Sequence, residues 1–180
     1  MSEPTEFRPP TRRAAAAGYI ACASATIGFI PLHMIWAFGS SLWTNEERFR
    51  EWYAEGGAAY LHALNGMALL SGIFALSLVR PWGTVFPRWV PLLAGRQVPR
   101  WPVVVLAGIL SVFLFLYTLW AIYATFNSDT SEAIFSPWIV AYGIPQFLLW
   151  SVGLMVAGWS YYRRTAPRQP SSATTSPSGD

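Results

Sequence analysis

The side chains able to do acid/base chemistry are few: His33 and His62, the two histidines of the chain, and the outer carboxylates Glu51 and Glu55. A general acid or base works only beside a substrate in a shaped site. Both histidines lie inside long apolar stretches, where a polar side chain is costly unless it faces a partner or a cavity. Two imidazoles on neighbouring helices can each give an axial nitrogen to an iron, so a single haem would use both. Zinc would require a further ligand from Glu46, Glu47 or another acidic residue, and no metal site is expected. Cys22, the single cysteine, excludes an internal disulfide framework and a multi-cysteine metal site. No Ser-His-Asp order, phosphate loop or metal-ligand motif occurs, so no catalytic residue can be named.

Helical rise converts position into depth. Counted from the arginines flanking each apolar stretch, His33 lies about 30 Å from Arg13 and His62 about 27 Å from Arg80. Asn65, Tyr117 and Gln146 come out about 22 to 26 Å from Arg80, Arg100 and Arg163. Four helices thus each bring a polar side chain to one layer. His33, Trp36, His62, Asn65, Tyr117 and Gln146 are expected to line a pocket that opens on the outer side, with aromatic walls and a polar floor. His62 and Asn65, three residues apart, are expected to share a helix face, as are His33 and Trp36. The alternative is that these groups hydrogen-bond from helix to helix and leave no void.

The elements that must position these residues are four apolar stretches, about residues 14–43, 58–79, 103–126 and 137–162. Each meets the requirement of about 20 residues for a helix crossing the hydrocarbon core. Hydrophobic residues make up 53% of the chain and charged residues 12%, too apolar a balance for an ordinary water-soluble domain. Strands are excluded, because no stretch alternates apolar and polar residues and an open sheet edge does not survive in lipid. The fold class is therefore all-α: a polytopic membrane protein built as a four-helix transmembrane bundle over residues 14–162, after an N-terminal segment 1–13 and before a disordered tail 165–180.

Orientation follows from arginine, the only basic residue type present. Arg8, Arg12, Arg13, Arg80, Arg88, Arg96, Arg100, Arg163, Arg164 and Arg168 flank one side, and only Arg48 and Arg50 the other. The positive-inside rule then puts both termini on the cytoplasmic side of a plasma membrane. Arginine clusters beside apolar segments point to the lipid bilayer as partner and do not indicate nucleic acid. The spans hold no Asp, Glu, Lys or Arg, which argues against a proton-coupled pump or an ion channel.

Local signals refine this outline. Pro31, three residues after Gly28, is expected to kink the first span, and Gly66, Gly72, Gly153 and Gly158 to mark close helix approaches. Residues 44–57 read as a short amphipathic helix, with Thr44-Asn45-Glu46-Glu47 as a capping box and Gly56-Gly57 as its end. Its Phe49, Trp52 and Tyr53 are expected on the headgroup boundary. The segment from Arg80 to Pro102 repeats Pro-Arg-Trp at 87–89 and 99–101, so it cannot be one regular helix. There Arg80, Arg88, Arg96 and Arg100 are expected to hold lipid phosphates, with Trp82, Trp89 and Trp101 at headgroup level.

The stretches Leu32 to Gly39, Val79-Arg80-Pro81-Trp82-Gly83, Phe86 to Pro91 and Gly95 to Trp101 carry a resemblance. Over about half the chain the sequence resembles uncharacterised four-span integral membrane proteins of high-GC Gram-positive bacteria. The likeness is closest in the loop motifs Arg-Pro-Trp-Gly and Pro-Arg-Trp, and Ser40-Ser41 stands where more glycine is expected. It implies the topology and a bacterial source, and it implies no activity. Three functions remain open: a protein that binds, or acts on, a hydrophobic or amphipathic small molecule; a non-catalytic accessory subunit with a membrane-protein partner or a second copy of itself; and a bis-histidine haem electron carrier.

Overall fold

The computed structural model describes residues 8–127 and 133–166. The first seven residues, residues 128–132 and most of the expected tail lie outside the described residues. Among the described residues every named element is helical. Four segments are long and apolar enough to cross a membrane: Arg12–Ala37, Glu46–Ser77, Arg100–Asn127 and Pro137–Arg164. The protein is an all-α, multi-pass membrane bundle.

The first segment is α1 (Arg12–Ala23), a π-helical turn over Ser24–Phe29, and α2 (Ile30–Ala37). Thr11 caps it, accepting a hydrogen bond from the Ala14 N–H at 3.2 Å. Pro31 lacks an N–H, and its ring crowds the carbonyl four residues back. The widened turn just ahead of it accommodates the proline without ending the helix. Two carbonyls of that turn are taken up by the last helix: Ser24 O accepts from Gln146 Nε2 at 3.0 Å, and Gly28 O from the Tyr142 hydroxyl at 2.7 Å. Gly28 makes room for this, since a Cβ there would stand 3.1 Å from Gln146 Cγ.

The helix stops at Ala37 and does not run through Trp43. Phe38 leaves helical geometry, Gly39 takes φ +85°, and the buried Trp36 fixes the turn by donating from Nε1 to Leu42 O at 2.9 Å. Next comes α3 (Glu46–Trp52), whose N-cap is Asn45, one residue later than the capping box expected at Thr44. The Asn45 side chain accepts from the Arg48 N–H, while the Thr44 hydroxyl donates to Ser41 O. A kink at Gly56, φ +114°, turns the chain into α4 (Ala58–Ser77).

The aromatic face of α3 turns inward, which corrects the expectation of a headgroup boundary. Phe49 is only 1% exposed and packs with Trp36, Ala37 and Leu61, with Trp52, Tyr53 and Phe135 against them. The protein end of a helix pair offers these rings closer packing than a lipid headgroup does. The Tyr53 hydroxyl donates to Ala37 O, Asn45 N–H to Ile134 O, and Ser136 N–H to Trp43 O, so the two loops at this end are sewn together.

The last two helices are α5 (Arg100–Asn127) and α6 (Pro137–Arg164). Neighbours follow a definite order: α4 packs on α1 and α2, α1 packs on α6, and α6 packs on α5, with no comparable interface joining α4 to α5. Small residues set the crossings. A Cβ on Gly153 would stand 2.7 Å from Ala17 O, one on Gly72 2.8 Å from Thr26 Cγ2, and one on Gly158 2.9 Å from Ala107 Cβ. Gly66 departs from the expected pattern, since nothing lies within 4 Å of its virtual Cβ.

At the arginine-rich end the polar groups close the chain ends onto the bundle. Arg164 donates to Leu78 O at 2.6 Å and to Arg8 O at 2.7 Å, so a cation meets the C-cap carbonyl of α4. The Tyr161 hydroxyl donates to Gly83 O at 3.0 Å. The connecting segment is not a regular helix: a short 3-10 turn at Pro81–Gly83 leads into an antiparallel bridge between Val85 and Gln97.

Candidate functional site

Because α4 and α5 do not pack together, the bundle is split along one side. The split holds a cavity of about 620 Å³, within the range of small-molecule sites. Its back wall is Phe29, His33 and Trp36 from the first segment with Gln146, Phe147 and Trp150 from α6, and its sides are α4 and α5. At the α3 end Trp52, Ile134 and Phe135 cover it. Towards the arginine-rich end Trp150 Nε1 donates to Ser71 Oγ at 3.1 Å and joins α6 to α4. Tyr60 and Met67 on α4, and Phe113 and Trp120 on α5, line the cavity and are each more than half exposed. The space therefore opens sideways between α4 and α5.

The cavity brings together four of the six expected pocket residues: His33, Trp36, Tyr117 and Gln146. His33 is the most constrained. Its ring stacks on Phe29 with centroids 3.5 Å apart, Trp36 meets it edge-on at 5.0 Å, and Nδ1 lies 2.9 Å from Phe29 O. A carbonyl can only accept, so Nδ1 carries the proton and Nε2 of the neutral ring is left as an acceptor. Gln146, buried, spends its Nε2 on Ser24 O and keeps Oε1 for the cavity. Tyr117 stands beside Phe147 at 5.1 Å and Trp120 at 5.7 Å.

His62 and Asn65 are not brought in. His62 is exposed, meets Phe38 edge-on at 6.0 Å and lines none of the cavity. Asn65 is buried with both amide atoms unpartnered, yet it too is outside the lining. On α4, Asn65 lies in the buried stripe of Leu61 and Ala68, whereas His62, about 60° around the helix from it, is exposed. The two imidazoles therefore do not face a common space, and the arrangement does not fit one haem held by both.

The lipid-anchor arginines also divide. Arg80, Arg88 and Arg96 are exposed, with Arg80 over the Tyr19 ring at 5.4 Å. Arg100 is turned in: it donates to Tyr162 O at 3.0 Å and lies 4.2 Å from the centre of the Tyr162 ring. Among the described residues no group of three His, Cys, Asp or Glu could hold a metal ion.

Sequence reasoning missed Trp150, Ser71 and Phe147, which shape the back and lower end of the cavity, and Arg164, which caps α4. Trp150 lies four residues after Gln146, so it shares that helix face, a signal that was available. No family model, curated protein or solved structure matches the chain, so the reading of this site rests on its own geometry.

Proposed function

We propose that this protein holds a neutral hydrophobic or amphipathic small molecule in the lateral cleft between α4 and α5, taking it from the bilayer. One observation carries the reading: a cavity of about 620 Å³ whose rim residues are exposed while its depths include the buried Leu114, Thr118 and Trp150. Among the described residues no Asp, Glu, Lys or Arg lines it, so a charged occupant would meet no compensating group there.

A long-chain alcohol bearing a diazirine tests this directly. Photolysed in membranes holding the full chain, it is expected to label Leu114, Thr118 or Trp150, which bulk lipid reaches only through the cleft. Filling the space with Ala121→Trp should remove that labelling. Label confined to lipid-facing positions such as Val105, Ile109 and Val112, unchanged by Ala121→Trp, would sink the proposal.

The open α4–α5 side favours a second reading, an accessory subunit whose partner helix closes the split. Photolabel excluded from the cleft in native membranes but admitted after purification would favour it.

For orientation we propose both termini in the cytoplasm, with Arg80, Arg88 and Arg96 at the inner headgroups, supported by the division of arginines between the two ends. In a Cys22→Ser background, Ser128→Cys is expected to react with a membrane-impermeant maleimide on intact cells. Ser171→Cys is expected to react only after permeabilisation, and reaction of both on intact cells would reverse the assignment.

A further inference from the structure

Most hydrogen-bond donors deep in the cleft are already used by the protein. His33 Nδ1 donates to Phe29 O, Gln146 Nε2 to Ser24 O, Trp36 Nε1 to Leu42 O, and Trp150 Nε1 to Ser71 Oγ. The Thr118 hydroxyl donates to Leu114 O in its own helix. Two acceptors of back-wall residues take no hydrogen bond from the described residues: Nε2 of His33 and Oε1 of Gln146. Of the remaining hydroxyls, that of the buried Ser71 accepts from Trp150 Nε1, and those of Tyr60 and Tyr117 stand at the exposed rim.

An apolar site with two spare acceptors on its back wall and most of its deep donors spent prefers an occupant that brings its own donor, because an acceptor left bare in a dry cavity costs what it loses from water. The walls add a second preference. Phe29, Phe147 and Trp150 meet one another at centroid distances of 5.8 to 5.9 Å, and Tyr117 joins Phe147 at 5.1 Å. Stacked and edge-on rings complement a flat ring better than a branched chain. The described lining carries no charge and disfavours phosphate, carboxylate and ammonium heads.

We infer that the cleft selects a lipophile with a neutral, hydroxyl-bearing ring, a phenol or hydroquinone head on an apolar tail. The ring lies among the aromatic walls, and its hydroxyl donates to His33 Nε2, with Gln146 Oε1 as the second acceptor. Phe29 O fixes the tautomer that leaves Nε2 open. This rests on the cleft reading above and specifies its ligand.

The test compares 2-decylhydroquinone with its dimethyl ether, which keeps the ring and tail but has no donor. Radiolabelled forms are titrated onto full-length protein in nanodiscs. Wild type is expected to hold the hydroquinone about tenfold or more tightly than the ether. His33→Phe keeps a ring on Phe29 and should bring the two affinities together at unchanged melting temperature, with Gln146→Leu a smaller loss. Equal affinity of the two compounds for wild type, both lost in Ala121→Trp, would overturn the hydroxyl preference and leave the cleft as a general lipophile site. Retention of neither compound would also overturn it, and the photolabelling of Leu114 and Thr118 then decides the cleft reading separately.

Discussion

Replacing Gly83 by alanine is expected to unfold the arginine-rich end of the bundle. A Cβ at Gly83 would stand 1.8 Å from Ser77 O and 2.5 Å from Ser77 C. Both are backbone atoms of the last turn of α4, so no rotamer change relieves the overlap. The chain must move instead, and two hydrogen bonds move with it. The Tyr161 hydroxyl donates to Gly83 O, Arg164 donates to Leu78 O, and Leu78 is fully buried. Strain of this kind, together with lost buried hydrogen bonds, belongs to the large end of single-residue effects, about 4 kcal/mol or more. Gly66→Ala is the contrast, because that position has open space and alanine is the better helix former by about 1 kcal/mol. Thermal unfolding in detergent, followed by tryptophan fluorescence, should show Gly83→Ala largely unfolded and Gly66→Ala at or above wild type. Equal melting temperatures for Gly83→Ala and wild type would show that the loop does not cross α4 this closely.

Trp150→Ala is expected to cost about 3 kcal/mol and to spoil the cleft at the same time. Truncating a buried tryptophan leaves a hole that close-packed neighbours refill only in part. Here the hole would merge with a cavity of about 620 Å³ that Trp150 bounds. Phe29 at 5.8 Å and Phe147 at 5.9 Å would lose their common neighbour. The tie from α6 to α4 through Ser71 Oγ would be lost as well. Trp150→Phe separates the two contributions. It keeps most of the ring volume and removes the donor, and a hydrogen bond between membrane helices is worth only about 0.6 kcal/mol. Denaturant or mixed-micelle unfolding should therefore rank wild type slightly above Trp150→Phe, and Trp150→Phe well above Trp150→Ala. Near-equal losses in the two variants would mean that the bond, and not the packing, holds α6 against α4.

The sequence by itself determined the class and the membrane segments. Four apolar stretches can satisfy their backbone groups in lipid only as helices, and helices α4, α5 and α6 match residues 58–79, 103–126 and 137–162 to within a few residues. Pro31 disclosed a disturbance in the first span because a missing N–H is a local fact. Its resolution as a widened turn was not local, since it depends on Gln146 and Tyr142 reaching Ser24 O and Gly28 O from more than a hundred residues away.

What only the tertiary structure decided was direction around each helix. Helical rise places His62 near the level of His33 but says nothing about which way either points, and in lipid a uniformly apolar helix carries little amphipathic signal to orient it. His62 consequently fell outside the cavity and His33 inside it. The same limit hid the inward turn of Phe49 and Arg100, whose partners lie on other elements. The cleft itself comes from an interface that does not form, between α4 and α5. Residue types along one helix report how well it suits lipid, whereas an open side depends on how three other crossings, at Gly72, Gly153 and Gly158, tilt their helices. Lipid and a neighbouring helix are equally apolar surroundings, so the hydrophobic pattern cannot distinguish a face that packs from one that is left open.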